Sequence, residues 1–194
     1  MTEVLLYHHV QGLTEGVRSF ADELRQAGHT VHTPDLFDGR TFGTLEDGMG
    51  FAREAGFGAL AERGVAAAEE LPPDVVYAGF SFGVMPAQQL AQTRPGARGA
   101  LFLSGCLPVS EFGDGWPDGV PVQVHGKTGD PFFDEDLEAA RALVASTDRG
   151  ELFLYEGEEH LFADPSLASY DPAAAALLTE RVLAFLDTVR ADKA

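Results

Sequence analysis

Residues 75–83 read Val75-Val76-Tyr77-Ala78-Gly79-Phe80-Ser81-Phe82-Gly83, and this stretch with its neighbours sets the architecture of the chain. A short apolar run with β-branched residues predicts a buried strand. It runs directly into Gly-x-Ser-x-Gly, and Val84-Met85-Pro86-Ala87-Gln88-Gln89-Leu90-Ala91 behind it predicts a helix. Strand, tight turn with a central serine, then helix is the setting of a nucleophile elbow. The two glycines let the backbone turn sharply and leave room for the helix, so Ser81 would stand exposed on a strained turn. Taken alone, the pentapeptide also fits a glycine-rich turn with an incidental serine.

On both sides of the elbow, strands alternate with helices. Glu3 to Tyr7 predicts the first strand and His8-His9-Val10-Gln11-Gly12 a loop. Thr14 caps a helix that ends near Ala27-Gly28, with Val17, Phe20, Ala21 and Leu24 on one apolar face. His29 to Thr33 predicts a short strand. Asp35 to Gly58 is glycine-rich and irregular, a candidate lid or pocket wall with room for a short helix around 45–55. Ala59 to Leu71 predicts a helix. Beyond the elbow come strands at Ala100–Ser104, Val120–His125 and Glu151–Tyr155 and helices at Asp134–Ser146 and from Asp171-Pro172 to about Arg190. Alternation of this kind specifies an α/β fold, a mostly parallel sheet with helices on both faces, here within one domain over 1–194. In such sheets the functional loops leave the C-terminal ends of the strands.

The 194 residues carry a net charge of −18, which argues against nucleic acid or an anionic membrane as partner. No apolar run approaches the ~18 residues of a membrane span. The first residues lack the basic start and apolar core of an export signal, and Cys106 is the only cysteine. A reducing cytoplasm is therefore the expected compartment. Cys106 follows an apolar run and reads as a buried small hydrophobe.

Serine needs a base within hydrogen-bond reach, and a histidine base needs a carboxylate to hold its tautomer. Ser81, Asp130 and His160 follow the chain order Ser…Asp…His, each just after a predicted strand. The rival carboxylates Asp114, Asp134 and Asp136 lack that placement. His125 reads as a strand histidine, and His29 and His32 as surface residues. Acyl transfer also needs N–H donors for the developing oxyanion. The backbone amide of Phe82 and one from the first loop, that of Val10, fit this part. Adjacent His8 and His9 point opposite ways on an extended chain and make a poor chelating pair, so neither metal nor cofactor is expected.

These features resemble the dienelactone hydrolase family of small α/β-hydrolases with minimal or no lid domain. The resemblance rests on Gly79–Gly83, Pro34-Asp35-Leu36-Phe37, His125-Gly126 ahead of Asp130, and His160-Leu161-Phe162-Ala163. It implies acyl-ester chemistry and departs from the family in three places. Many members use cysteine where this chain has Ser81. His9 stands where those members carry a glutamate that helps control the thiol. Asp164 stands where dienelactone-cleaving members carry an arginine for the substrate carboxylate, which disfavours an anionic lactone here. The expected activity is therefore serine-type hydrolysis of an ester, lactone or thioester. The alternatives are a catalytically silent binding protein on the same fold, or a peptidase or C–C hydrolase with the same three residues. His9, Phe37, Trp116 and Phe132 are candidate pocket residues. Phe42, Phe51, Phe57 and Phe112 join them, with ordinary packing beneath long loops as the competing reading.

Overall fold

The computed structural model describes residues 1–191; the last three positions of the 1–194 span lie outside the described residues. Six strands form one sheet: β1 (Glu3–Tyr7), β2 (Thr30–His32), β3 (Val76–Phe80), β4 (Gly99–Leu103), β5 (Val122–Lys127) and β6 (Gly150–Tyr155). Their order is β2-β1-β3-β4-β5-β6, with every neighbour pair parallel. Parallel neighbours need crossovers. α1 (Glu15–Gln26) links β1 to β2, α2 (Leu45–Ala55) and α3 (Phe57–Ala66) link β2 to β3, α4 (Val84–Thr93) links β3 to β4 and α5 (Pro131–Ala145) links β5 to β6. β4 reaches β5 through a loop with a short 3-10 turn, and α6 (Pro172–Ala191) follows β6.

Side-chain alternation divides the core in two. On one face Leu5, Tyr7, Tyr77, Phe102 and Val124 pack with Leu60 of α3, Leu90 of α4 and Phe133 of α5. On the other, Val4, Leu6, Val76, Ala78 and Leu101 pack with Phe20 of α1 and Leu178 and Leu186 of α6. Strands buried on both faces read as continuous apolar runs, which is why β1, β3 and β4 stand out in the sequence.

The structure corrects several element boundaries. α5 begins at Pro131 rather than Asp134, because Asp130 is its N-cap and accepts from the Phe132 N–H at 3.0 Å. α3 starts at Phe57 and gives way to turns after Ala66, short of Leu71. The 35–58 stretch is a packed wall. Leu36, Phe37 and Ala52 are buried in it, and the Phe37 ring contacts Phe42, Phe51 and Phe82. His29 is buried rather than at the surface, in the turn between α1 and β2 where it faces Asp187 and Arg190 of α6.

Two further histidines are buried and held neutral. The His8 Nδ1–H donates to the His9 carbonyl at 2.8 Å while Nε2 accepts the Leu36 N–H at 3.0 Å. Burial pushes its pKa down to about 4. His125 Nδ1 accepts from the Tyr155 hydroxyl at 2.9 Å, and burial pushes this ring down to about 3. The unfolded chain therefore binds protons that the folded chain refuses, and stability falls as pH drops below the ordinary histidine pKa. The expected slope is about 1.4 kcal/mol per pH unit for each ring between about pH 6 and pH 4. Urea midpoints at pH 7 and pH 5 measure it; equal midpoints would contradict the assignment of both rings as neutral.

Candidate active site

The elbow is built as its glycines require. Ser81 follows β3 with φ of 48°, in the left-handed region. That conformation costs a non-glycine residue about 1–2 kcal/mol. A side chain on Gly79 would run into the Gly83 carbonyl. A Cβ on Gly83 would lie 2.6 Å from the Tyr7 carbonyl oxygen and 2.7 Å from that of His8. The turn is therefore closed against the end of β1, and the loop leaving β1 lies beside the elbow. Phe82 sits in the first turn of the 3-10 segment Ser81–Gly83 that leads into α4. Its N–H is among those that a helix N-terminus leaves without an intrahelical acceptor.

The loops after β3, β5 and β6 bring Ser81, Asp130 and His160 together. Ser81 Oγ lies 2.8 Å from His160 Nε2, and His160 Nδ1 lies 2.5 Å from Asp130 Oδ2. Asp130 is fully buried and His160 nearly so. A carboxylate only accepts, so Nδ1 carries the ring proton and Nε2 is free to accept from the serine hydroxyl. The second Asp130 oxygen is occupied by the α5 cap, which fixes the carboxylate's rotation. The half-exposed Phe132 ring lies 4.9 Å from the His160 ring and covers it. Of the rival carboxylates, half-buried Asp136 accepts from the Cys106 N–H at 3.1 Å. Burial of its carboxyl raises its pKa.

Nothing in the chain's local patterns points to what holds His160 in place. Lys127, at the end of β5, is buried and lies 2.6 Å from Glu159 and 2.7 Å from Asp171. It thereby ties the residue next to His160 to the start of α6. Burial alone would lower its pKa, but the two carboxylates overcome that and raise it. Lys127→Met is expected to loosen this loop and lower kcat about tenfold, as sub-ångström misplacement of a base costs rate. A crystal structure of the variant with an unmoved His160 loop would contradict that role.

Several expected pocket residues lie elsewhere. Phe37 is fully buried in the core, because the 35–58 wall folds over it. Trp116 packs edge-on against Phe102 and donates its indole N–H to Val120. It lines a cavity of about 570 Å³ with Pro108, Val109 and Ala139 that does not include Ser81 or His160. His9 is fully buried and bonded to Asp164. Asp164 in turn is buried, with both oxygens bonded to protein partners. Of the four, Phe132 packs directly against His160. Val10 is buried in the turn after β1, in the same apolar cluster as Phe82.

A sequence profile of the dienelactone hydrolase family matches residues 1–190. The chain belongs to the dienelactone hydrolase family. It is thereby a hydrolase by descent, with an α/β-hydrolase fold and, among the described residues, no separate lid. Solved structures agree on the fold. A dienelactone hydrolase-like promiscuous phosphotriesterase from metagenomic libraries is 19% identical with a TM-score of 0.75, over 97% of this chain and 87% of that one. The dienelactone hydrolase of Anabaena variabilis is 22% identical with a TM-score of 0.62, over 92% and 84%. Esterase 2 of Thermogutta terrifontis, in its paraoxon-phosphorylated form, is 17% identical with a TM-score of 0.62, over 97% and 82%. Among the described residues of this family member, no helix is long and apolar enough to cross a membrane.

Proposed function

We propose that this family member is a serine hydrolase of carboxylic esters, including lactones and thioesters, working through an acyl-enzyme. The observation that carries the proposal is the continuous hydrogen-bonded chain from Ser81 through His160 to buried Asp130. As Ser81 Oγ bonds to the substrate carbonyl carbon, its proton passes to His160 Nε2. The negative charge that develops on the carbonyl oxygen is met by the Phe82 and Val10 amides. The tetrahedral carbon then expels the alcohol or thiol, which takes the proton from His160. Water enters, His160 removes its proton, and the hydroxide attacks the acyl carbon. Ser81 leaves as the hydroxyl, regaining that proton, and the acid departs. Asp130 stays ionised throughout, holding the tautomer and stabilising the imidazolium. The residues supply every proton transfer, so the reaction needs no cofactor.

Ester and peptide chemistry are distinguished by substrate. p-Nitrophenyl esters of increasing chain length, tested against peptide p-nitroanilides, are expected to show turnover of esters alone. Peptide cleavage with no ester turnover would overturn the reading. Relatives whose names record phosphotriesterase activity or paraoxon phosphorylation support one more expectation. Paraoxon should phosphorylate Ser81 and inactivate the enzyme.

A further inference from the structure

His9 and Asp164, two positions that depart from the family pattern, are joined in this structure. His9 Nε2 lies 2.8 Å from Asp164 Oδ2, and both side chains are fully buried. On the other edge of the ring, His9 Nδ1 lies 3.2 Å from the backbone N of Gln11. A backbone N–H only donates, so Nδ1 is the acceptor and the ring proton sits on Nε2, where the carboxylate receives it. Asp164 is itself held firmly. The Thr14 hydroxyl donates to it at 2.5 Å, and the Ser166 N–H and hydroxyl donate at 2.8 and 2.6 Å. Gly16, in the first turn of α1, abuts this carboxylate so closely that any side chain there would collide with it. Burial alone would raise the Asp164 pKa, but these donors outweigh it and hold the group below the ordinary carboxylate range.

This chain of bonds ends on the peptide that flanks Val10. The Gln11 N–H is fixed by His9, and the Gly12 N–H donates to the His9 carbonyl at 3.0 Å. The Val10 carbonyl backs onto Gly48 of α2, where a Cβ would clash. Both sides of Val10 are thus immobilised, while its own N–H is given no acceptor among the described residues. A donor fixed in place before charge develops is what stabilises an oxyanion most.

We infer that His9 is a positioning residue: oriented by Asp164, its ring holds the Gln11 amide and so aims the Val10 N–H at the oxyanion formed on Ser81. The inference rests on the serine-hydrolase reading above. Asp164 follows His160 on the same loop, so one buried carboxylate joins the loop of the base to the loop of the oxyanion donor.

Two substitutions separate the bonds. His9→Gln keeps a donor for Asp164 and gives up the acceptor for Gln11. His9→Asn keeps an acceptor near Nδ1 and gives up the bond to Asp164. With p-nitrophenyl acetate and the full chain, His9→Gln is expected to lower kcat about 10–100-fold with KM within about threefold. His9→Asn is expected to recover most of that loss. Affinity for an alkyl boronic acid, which forms a tetrahedral adduct on the serine, should fall in parallel with kcat. A role confined to packing would lower Tm in both variants and leave kcat and boronate affinity at the wild-type values, which would overturn the inference. Should neither variant fold, ¹⁵N NMR of the wild-type ring decides. A proton on Nε2 alone sustains the inference, and a proton on Nδ1 overturns it. Ser81→Ala is measured alongside. If the wild-type protein shows no turnover that depends on Ser81, the hydrolase reading falls and this inference with it. If wild-type turnover depends on Ser81 and His9→Gln matches the wild-type kcat, this inference alone falls.

Discussion

Ser81→Ala is expected to lower kcat on a p-nitrophenyl ester by about 10⁴–10⁶-fold, leaving KM within a few-fold of the wild type. Without Oγ there is no covalent intermediate, and His160 has no hydroxyl to deprotonate. The fold should survive, since alanine fills no more space and the elbow is shaped by Gly79 and Gly83. Ser81→Gly carries the idea further. Glycine adopts φ of 48° without the steric cost that serine meets there. This variant should therefore be equally inactive and about 1 kcal/mol more stable in urea. An inactive variant with lower stability would mean that the elbow stores no strain. An active one would remove Ser81 from the chemistry.

Asp130→Asn is expected to cost about 10⁴-fold in kcat. The introduced carboxamide would retain an oxygen for the Phe132 N–H, so the α5 cap and the stability should persist. Its remaining group toward His160 is an amide donor, which faces the wrong way for Nδ1–H. The ring then moves its proton to Nε2, and Ser81 loses its acceptor. The loss should appear in kcat rather than in KM or Tm. Asp130→Ala should lose activity and also stability, because it removes the cap. If Asp130→Asn retained near wild-type kcat, the carboxylate acting on His160 would have to be another one. The nearest rival is Asp136, which the Cys106 amide engages.

Much of this site is legible in the chain because strand ends are legible. Ser81, Asp130 and His160 each follow a predicted strand, and a parallel sheet gathers the loops at the C-terminal ends of its strands. The start of α5 is encoded just as plainly. Asp130-Pro131 is the same cap-and-proline signal as Asp171-Pro172, which opens α6. An acid that serves a histidine and an acid that caps a helix look alike in sequence, and Asp130 does both, one with each oxygen. Assigning it to His160 alone therefore places the helix three residues late. Pocket residues are not legible. Whether Phe37 faces substrate or core depends on how the 35–58 wall packs, and no local pattern encodes that. The His9–Asp164 pair spans 155 positions and is defined by contacts between two loops, one after β1 and one after β6. A lone histidine and a lone aspartate carry no sign of each other. The same holds for Lys127, whose carboxylate partners lie 32 and 44 positions away. A charged residue at the end of a buried strand does hint that a partner exists, without saying which.

Covalent labelling reads out the nucleophile itself. The intact protein is treated with a fluorophosphonate, digested, and mapped by mass spectrometry. A single adduct on Ser81, absent from Ser81→Ala and strongly slowed in Asp130→Asn, is the expected result. An unlabelled Ser81 in folded protein, or an adduct on another residue, would contradict the assignment of Ser81 as the attacking group.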